Sequence, residues 1–255
     1  MEPVRNHRSR SVVEAARLHR ARHRAETGRT LIEGPTLLAE ALAAGHLPHL
    51  VFAADDDAES KDLARRHDLK LVPVDDGAMN RLAGTSTPRG PVAVIDVPPP
   101  LPITDAGMLV AWGVGDPGNV GTMIRVAAAF GWNFGFSSGT ASPWSPKVLR
   151  AGAGAQFRVS MTAITSPAEI IRLGFSVVAT VVTGGVPPTA LGPGRRAVLI
   201  GDEAHGLPAD VSASAAERVT IPMPGGTESL NAAVAAAIVV YAITDMAPGN
   251  GPTRV

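Results

Sequence analysis

Short runs of apolar, β-prone residues alternate along this chain with stretches whose apolar positions recur at helical spacing. Thr30–Ile32 reads as a strand, Thr36–Ala44 as a helix with Leu37, Leu38 and Leu42 on one side, and Leu50–Ala53 as a second strand. Ser60–Asp68 (helix), Lys70–Val74 (strand), Gly77–Ala83 (helix) and Val92–Val97 (strand) continue the pattern. Such alternation predicts a small α/β domain over 1–97. The run Val97-Pro98-Pro99-Pro100-Leu101-Pro102 is too proline-rich for helix or central strand and predicts a stiff linker over 98–107.

From 108 to 255 the alternation resumes. Met108–Val114, Trp132–Phe136, Phe175–Thr180, Ala197–Gly201 and Val219–Pro222 read as strands. Val120–Phe130, Pro146–Ala151 and the Ala-rich stretch Ser229–Asp245 read as helices. Strands that are apolar throughout, rather than at every second position, predict a parallel sheet covered by helices on both faces. The longest apolar run, Leu230 to Ile243, is mostly alanine, contains Asn231, and is too short to span a bilayer.

Composition narrows the chemistry. The chain has 255 residues and no cysteine, which excludes thiol nucleophiles, disulfides, Cys-ligated zinc and iron–sulfur clusters. Net charge is zero, so no uniform basic coat exists, yet residues 1–30 hold eight arginines against three glutamates. Arg5, Arg8, Arg10, Arg17, Arg20, Arg22, Arg24 and Arg29 there suggest a phosphate-contacting arm, with a basic helix over Ser11–Glu26. Aromatic residues at 4% argue against a base-stacking platform. The start MEPVRNHRSR has no apolar stretch after its charges, so no secretory signal is expected and a cytoplasmic enzyme is the simplest fit. Asp55–Asp57 read as a solvated loop. His19 and His23 lie four apart on a helix, but neighbouring arginines would repel a cation, and no metal site is expected.

Gly113-Val114-Gly115-Asp116-Pro117-Gly118 matches the dinucleotide pattern G-x-G-x-x-G between a strand and a helix. Pro117 removes a donor where pyrophosphate needs one, and the following strand ends in Ser137-Ser138-Gly139 without an acid for a ribose hydroxyl. A nicotinamide or flavin oxidoreductase is therefore disfavoured.

Three other segments carry oddities. Asn119, a plausible N-cap, is followed by Arg125 within an otherwise apolar helix. Leu199-Ile200-Gly201-Asp202-Glu203-Ala204-His205-Gly206-Leu207 is a strand running into a Gly-flanked acidic turn, which allows close backbone approach. Ile221-Pro222-Met223-Pro224 precedes Glu228-Ser229-Leu230-Asn231 at the start of the long helix, where free N–H groups gather. Singly these fit a surface arginine, a β-turn and an ordinary cap.

In this order they resemble the SpoU/TrmH branch of the SPOUT RNA methyltransferases, with its N-x-G-x-x-x-R, G-x-E-x-x-G and I-P-M…S-L-N segments. Glu33-Gly34 and Thr87-Pro88-Arg89-Gly90-Pro91 extend the resemblance over nearly the whole chain. It implies a small N-terminal α/β RNA-binding domain and a C-terminal SPOUT α/β-knot, a trefoil-knotted parallel sheet with helices on both faces. It implies transfer of a methyl group from S-adenosyl-L-methionine to an RNA ribose 2′-hydroxyl, in 23S ribosomal RNA ahead of transfer RNA, by a homodimer. A non-catalytic RNA-binding relative is the further alternative.

By position, the resemblance assigns Thr180, Gly201, Ile221 and Leu230 to the cofactor, and Arg125, Asn119, Glu203, Ser229 and Asn231 to catalysis. A guanidinium stays protonated, so Arg125 suits clamping a phosphate and stabilising an alkoxide better than taking a proton. Asp202 and Ala204 stand where Asn and Gly are usual, Ala232-Ala233 where Val-Ser is common, and Gly152 where Ser is frequent.

Overall fold

The computed structural model describes residues 5–84, 88, 90–192 and 194–245; Thr87 and Arg89 of the sequence segment noted above lie outside them. The chain divides into two compact units, Met1–Pro99 with Ser142–Phe157, and Pro100–Ala141 with Arg158–Val255.

The first unit is built on a four-stranded sheet. Its elements are α1 (Arg10–Ala16), α2 (Ala21–Thr27), β1 (Arg29–Glu33), α3 (Pro35–Ala43), β2 (Leu50–Ala54), α4 (Ala58–Arg66), β3 (Leu71–Val74), α5 (Asp76–Leu82) and β4 (Val92–Asp96). The strand order is β1-β4-β2-β3, with β2 and β3 parallel and β4 antiparallel to both of its neighbours. Side chains alternate across it as the two-residue period demands. Leu31, Phe52, Val92 and Val94 join Val12, Leu18 and Leu82 in one buried cluster. Ile32, Val51, Ala93 and Ile95 join Leu37, Leu38 and Leu149 in the other.

The sequence pattern predicts one helix over Ser11–Glu26. Instead α1 and α2 are separated by a 3-10 turn at Arg17–His19, with Arg20 extended at φ −86°, ψ 128°. The buried Arg24 guanidinium explains the break: it donates to the carbonyls of Leu18 (2.8 Å) and His19 (3.0 Å), which the ended helix leaves open. Burial pulls the Arg24 pKa down. Arg24 is thus internal and not part of a phosphate-contacting surface, whereas Arg10, Arg20 and Arg22 are exposed. Asp57 is not idle loop either: its carboxylate caps α4 by accepting from Ser60 N at 2.9 Å.

The stretch 142–157 corrects the expected boundary, which gave all of 108–255 to the second unit. α7 (Pro146–Gly152), which follows α6 (Pro117–Ala129) and β6 (Asn133–Phe136) of the second unit, packs on β1, and Thr30 Oγ1 donates to Trp144 O at 2.7 Å. Arg150 pairs with the largely buried Glu33 carboxylate at 2.8 Å, which also accepts from Gly84 N at 3.1 Å. Gly152 leaves space that a Cβ would take from the Gln156 amide, 2.5 Å away, which donates to Val148 O.

The second unit holds β5 (Met108–Trp112), α6 (Pro117–Ala129), β6 (Asn133–Phe136), β7 (Met161–Ala163), α8 (Pro167–Arg172), β8 (Ser176–Thr180), β9 (Arg196–Gly201), α9 (Ala209–Ala213), β10 (Glu217–Val219) and α10 (Ala232–Asp245). Its sheet has the order β10-β8-β9-β5-β6-β7 and is parallel throughout. Ile170 of α8 and Val211 of α9 cover one face with Met108, Val110, Val177 and Leu199. α6 and α10 pack on β5 and β9 from the other side. Because all strands run one way, their carboxyl ends share one edge, where ligands of parallel α/β sheets bind.

Candidate active site

At that edge a cavity of about 350 Å³ opens among the ends of β8 and β9, the loop after β10, and the start of α10. Thr180, Gly201, Ile221 and Leu230 all line it, as do Glu203 and Ser229. Its frame is tied by small polar groups. Thr180 Oγ1 donates to Leu199 O at 2.8 Å, and Thr220 Oγ1 donates to Val181 O at 3.0 Å while accepting from Gly185 N at 2.9 Å.

Gly201 ends β9, and the chain turns back on it within five residues: Gly206 N donates to Asp202 O at 2.8 Å. A Cβ on Gly201 would meet Gly206 C, and would lie 2.5 Å from Gly206 O and 2.5 Å from Leu207 N. Glycine is therefore a steric requirement there. In the turn, Asp202 Oδ1 accepts from Ala204 N at 3.0 Å and from the His205 ring at 3.1 Å. The Ala204 N–H first, and His205 second, hold the Asp202 carboxyl below the usual range.

The N-cap of α6 is Asp116, not Asn119: its carboxylate accepts from Asn119 N at 2.8 Å, with Pro117 at the first helical position. The chain's own anion thus occupies the donor that the dinucleotide pattern would have offered to pyrophosphate. The Asn119 side chain is freed for another task. Its Nδ2 donates to Glu203 Oε1, and its Oδ1 accepts from Asn231 Nδ2 at 2.8 Å. Asn231 Oδ1 caps α10 by accepting from Ala233 N (3.0 Å) and Val234 N (3.2 Å), so the helix begins after Ser229 rather than at it. Three segments spread over 112 positions of the chain are thereby joined at the cavity rim.

Arg125 is not brought to this cavity. It is exposed on α6 and makes no hydrogen bond or ion pair among the described residues. Six residues at ~100° each put Arg125 about 240° around the helix from Asn119. It shares an exposed stripe of α6 with Thr122 and Ala129. On α10, which packs beside α6, Val234 (48%), Ile238 (38%) and Tyr241 (57%) are exposed at helical spacing. Tyr241 meets Phe130 edge-on, with ring centroids 6.3 Å apart.

Met223, Glu228 and His205, to which the sequence assigns no role, also line the cavity. Each stands within or beside a quoted segment, which was the available signal. Asp202, Glu203 and Glu228 make the rim acidic. Among the described residues no group of three or more His, Asp or Glu could hold a metal ion, and no helix is long and apolar enough to cross a membrane.

Comparison with known proteins agrees with this geometry. Residues 107–241 match the model of the SpoU rRNA Methylase family, and residues 10–93 match an MRM3-like substrate binding domain. The chain is 30% identical over 246 residues to the 23S rRNA (guanosine(2553)-2′-O)-methyltransferase RlmP of Bacillus subtilis, covering 94% of this chain and 98% of that one. Among solved structures, an RNA 2′-O ribose methyltransferase superposes with a TM-score of 0.82 at 27% identity, over 95% of this chain and 98% of that one. The SpoU methyltransferase AviRb from Streptomyces viridochromogenes shares the fold at 23% identity, with a TM-score of 0.84 over 93% and 98% of the two chains.

Proposed function

Because this chain belongs to the SpoU rRNA methylase family, we infer that it transfers a methyl group from S-adenosyl-L-methionine to a ribose 2′-hydroxyl of RNA, with 23S ribosomal RNA as substrate. The observation that carries this reading is the convergence of Thr180, Gly201, Ile221 and Leu230 on one cavity at the carboxyl edge of a parallel sheet.

The residues fit the cofactor. About 350 Å³ lies within the range of small-molecule sites. An acidic rim of Asp202, Glu203 and Glu228 complements a sulfonium cation. When bound, the cofactor supplies an electrophilic methyl group. The chain's own task is placement: Asn231 orients Asn119, Asn119 orients Glu203, and the Ser229 hydroxyl, without a partner among the described residues, stands at the cavity wall. Such positioning supports an in-line displacement.

Arg125 is exposed on α6 outside the lining of its own cavity, and α10, which packs beside α6, exposes an apolar stripe. A second copy packed on this stripe would cover Val234, Ile238 and Tyr241 and bring Arg125 into an interface. This supports a homodimer in which the guanidinium clamps the RNA phosphate and stabilises the developing alkoxide. The trefoil-knotted path implied by the family resemblance is in keeping with the backbone of Gly206 and Leu207 lying against Gly201, and Val219 and Thr220 against Gly185. The first unit, with exposed Arg10, Arg20 and Arg22, holds the RNA, and a 23S ribosomal substrate supports the reading of a cytoplasmic enzyme.

The test is incubation with radiolabelled S-adenosylmethionine and unmodified 23S rRNA or tRNA. Label in 23S rRNA, resistant to alkaline cleavage at one nucleotide, is expected. A folded protein that labels neither RNA would refute the reading.

A further inference from the structure

Arg125 cannot accept the proton that a ribose hydroxyl must lose, because a guanidinium is always charged. Among the cavity-lining residues, His205 meets that need. Its side chain is 88% exposed, lines the cavity, and lies in the turn that carries Glu203. Its Nδ1 stands 3.1 Å from Asp202 Oδ1. Asp202 is held ionised by the Ala204 N–H and by His205, so its oxygens only accept. Nδ1 must therefore carry the hydrogen, and a neutral ring then presents the lone pair of Nε2, for which no partner exists among the described residues. The other ionisable groups facing this part of the cavity are Glu203, in the same turn, and Glu228, from the loop before α10. Both are carboxylates.

We propose that His205 is the proton acceptor of the methyl transfer, with Asp202 as the residue that sets its tautomer and orientation. As the 2′-oxygen forms its bond to the methyl carbon, the carbon–sulfur bond breaks and its electron pair returns to sulfur, leaving S-adenosylhomocysteine. The hydroxyl proton passes to His205 Nε2 and then to solvent. The assignment rests on the methyltransferase reading above.

The experiment is single-turnover methylation of 23S rRNA across about pH 5.5–8.5 by the full-length wild type, His205→Gln and His205→Ala, with cofactor affinity from calorimetry. The wild-type rate should rise with pH through the range in which imidazoles titrate and then level off. His205→Gln should lose about 10²-fold or more in rate, together with the rising limb, and keep wild-type cofactor affinity. Added imidazole should restore part of the rate to His205→Ala, since the ring lies open to solvent. A glutamine variant with the wild-type rate and pH profile would overturn the proposal. So would a rate loss matched by an equal loss of cofactor affinity, or a raised KM for RNA at unchanged kcat, which would make His205 a contact for a base. A wild type that methylates nothing would overturn the parent reading, a result distinguishable from all of these.

Discussion

Substituting Gly201 by alanine tests whether the turn after β9 shapes the cofactor site. The new Cβ would lie 2.5 Å from Gly206 O and 2.5 Å from Leu207 N, and closer still to Gly206 C. All three are backbone atoms, so no side-chain rotation relieves the clash. Carbon contacts are comfortable at ~3.5–4 Å, so the returning strand must move by about 1 Å. That opens the Gly206 N to Asp202 O hydrogen bond of 2.8 Å, worth about 1 kcal/mol. Overpacking adds about 1–3 kcal/mol, giving about 2–4 kcal/mol in all. Since domains keep about 5–15 kcal/mol of stability, the variant should fold.

The free protein can relax by displacing the turn, but the bound state needs the turn in place. The strain is then paid on binding. At ~1.4 kcal/mol per tenfold, the dissociation constant for S-adenosylmethionine should rise about 30- to 700-fold. Gly206→Ala is the matched control. Gly206 has φ +65° but nothing within 4 Å of a Cβ, so only a left-handed backbone cost of about 1–2 kcal/mol arises. Calorimetry should rank the affinities wild type, Gly206→Ala, Gly201→Ala. Cofactor binding by Gly201→Ala within threefold of wild type, with cooperative unfolding intact, would refute the assignment of this turn to the site.

Arg125→Ala should keep wild-type cofactor affinity and lose about 10²-fold or more in methyl transfer, read by single-turnover labelling; parallel loss of affinity would make the residue structural. Ile238→Asp places a charge in the middle of the exposed α10 stripe. It should shift the protein from dimer to monomer in sedimentation velocity and abolish methylation, while thermal unfolding changes by no more than a surface substitution does. Asp96 accepts from His49 at 2.8 Å and from Arg29 at 3.3 Å, and these bonds, His49 first, hold its carboxyl below the usual range. A depressed folded pKa contributes stability that is full above ~3.9 and is lost as pH falls through the folded value. Urea midpoints of Asp96→Asn should therefore fall less steeply than wild type below about pH 4.

Several regular elements were legible because the cores of β5, β8 and β9 are apolar throughout and the apolar positions of α6 recur at helical spacing: all four stand close to where periodicity put them. β7, α8 and α9 were not, being only three, six and five residues long, below the length at which a period declares itself. The break between α1 and α2 was hidden for a different reason. Its cause is the Arg24 guanidinium reaching back to Leu18 and His19, and a side chain's destination leaves no mark on spacing. Likewise α7 was visible as a helix, but nothing local says that it packs on β1 through Thr30 and Glu33.

The candidate site was legible where its residues act through backbone or sit at strand ends, since a parallel sheet brings every carboxyl end to one edge. Its division of labour was legible too, in a spacing. Asn119 and Arg125 are six apart on one helix, and ~100° per residue forbids them a common face. Once Asn119 is committed to Glu203 and Asn231, Arg125 lies on another face of α6, and the neighbouring α10 leaves Ile238 and Tyr241 exposed. On the proposed reading, a single chain holds the cofactor cavity and, outside that cavity's lining, the candidate phosphate clamp Arg125. In the proposed homodimer, paired across that stripe, each cavity would be served by the helix of the other copy. On this logic, mixing Arg125→Ala with a chain altered in the cavity, such as Gly201→Ala, should restore up to one active site per heterodimer. Rescue absent from a demonstrated heterodimer would place Arg125 at its own chain's cavity and contradict the helical geometry.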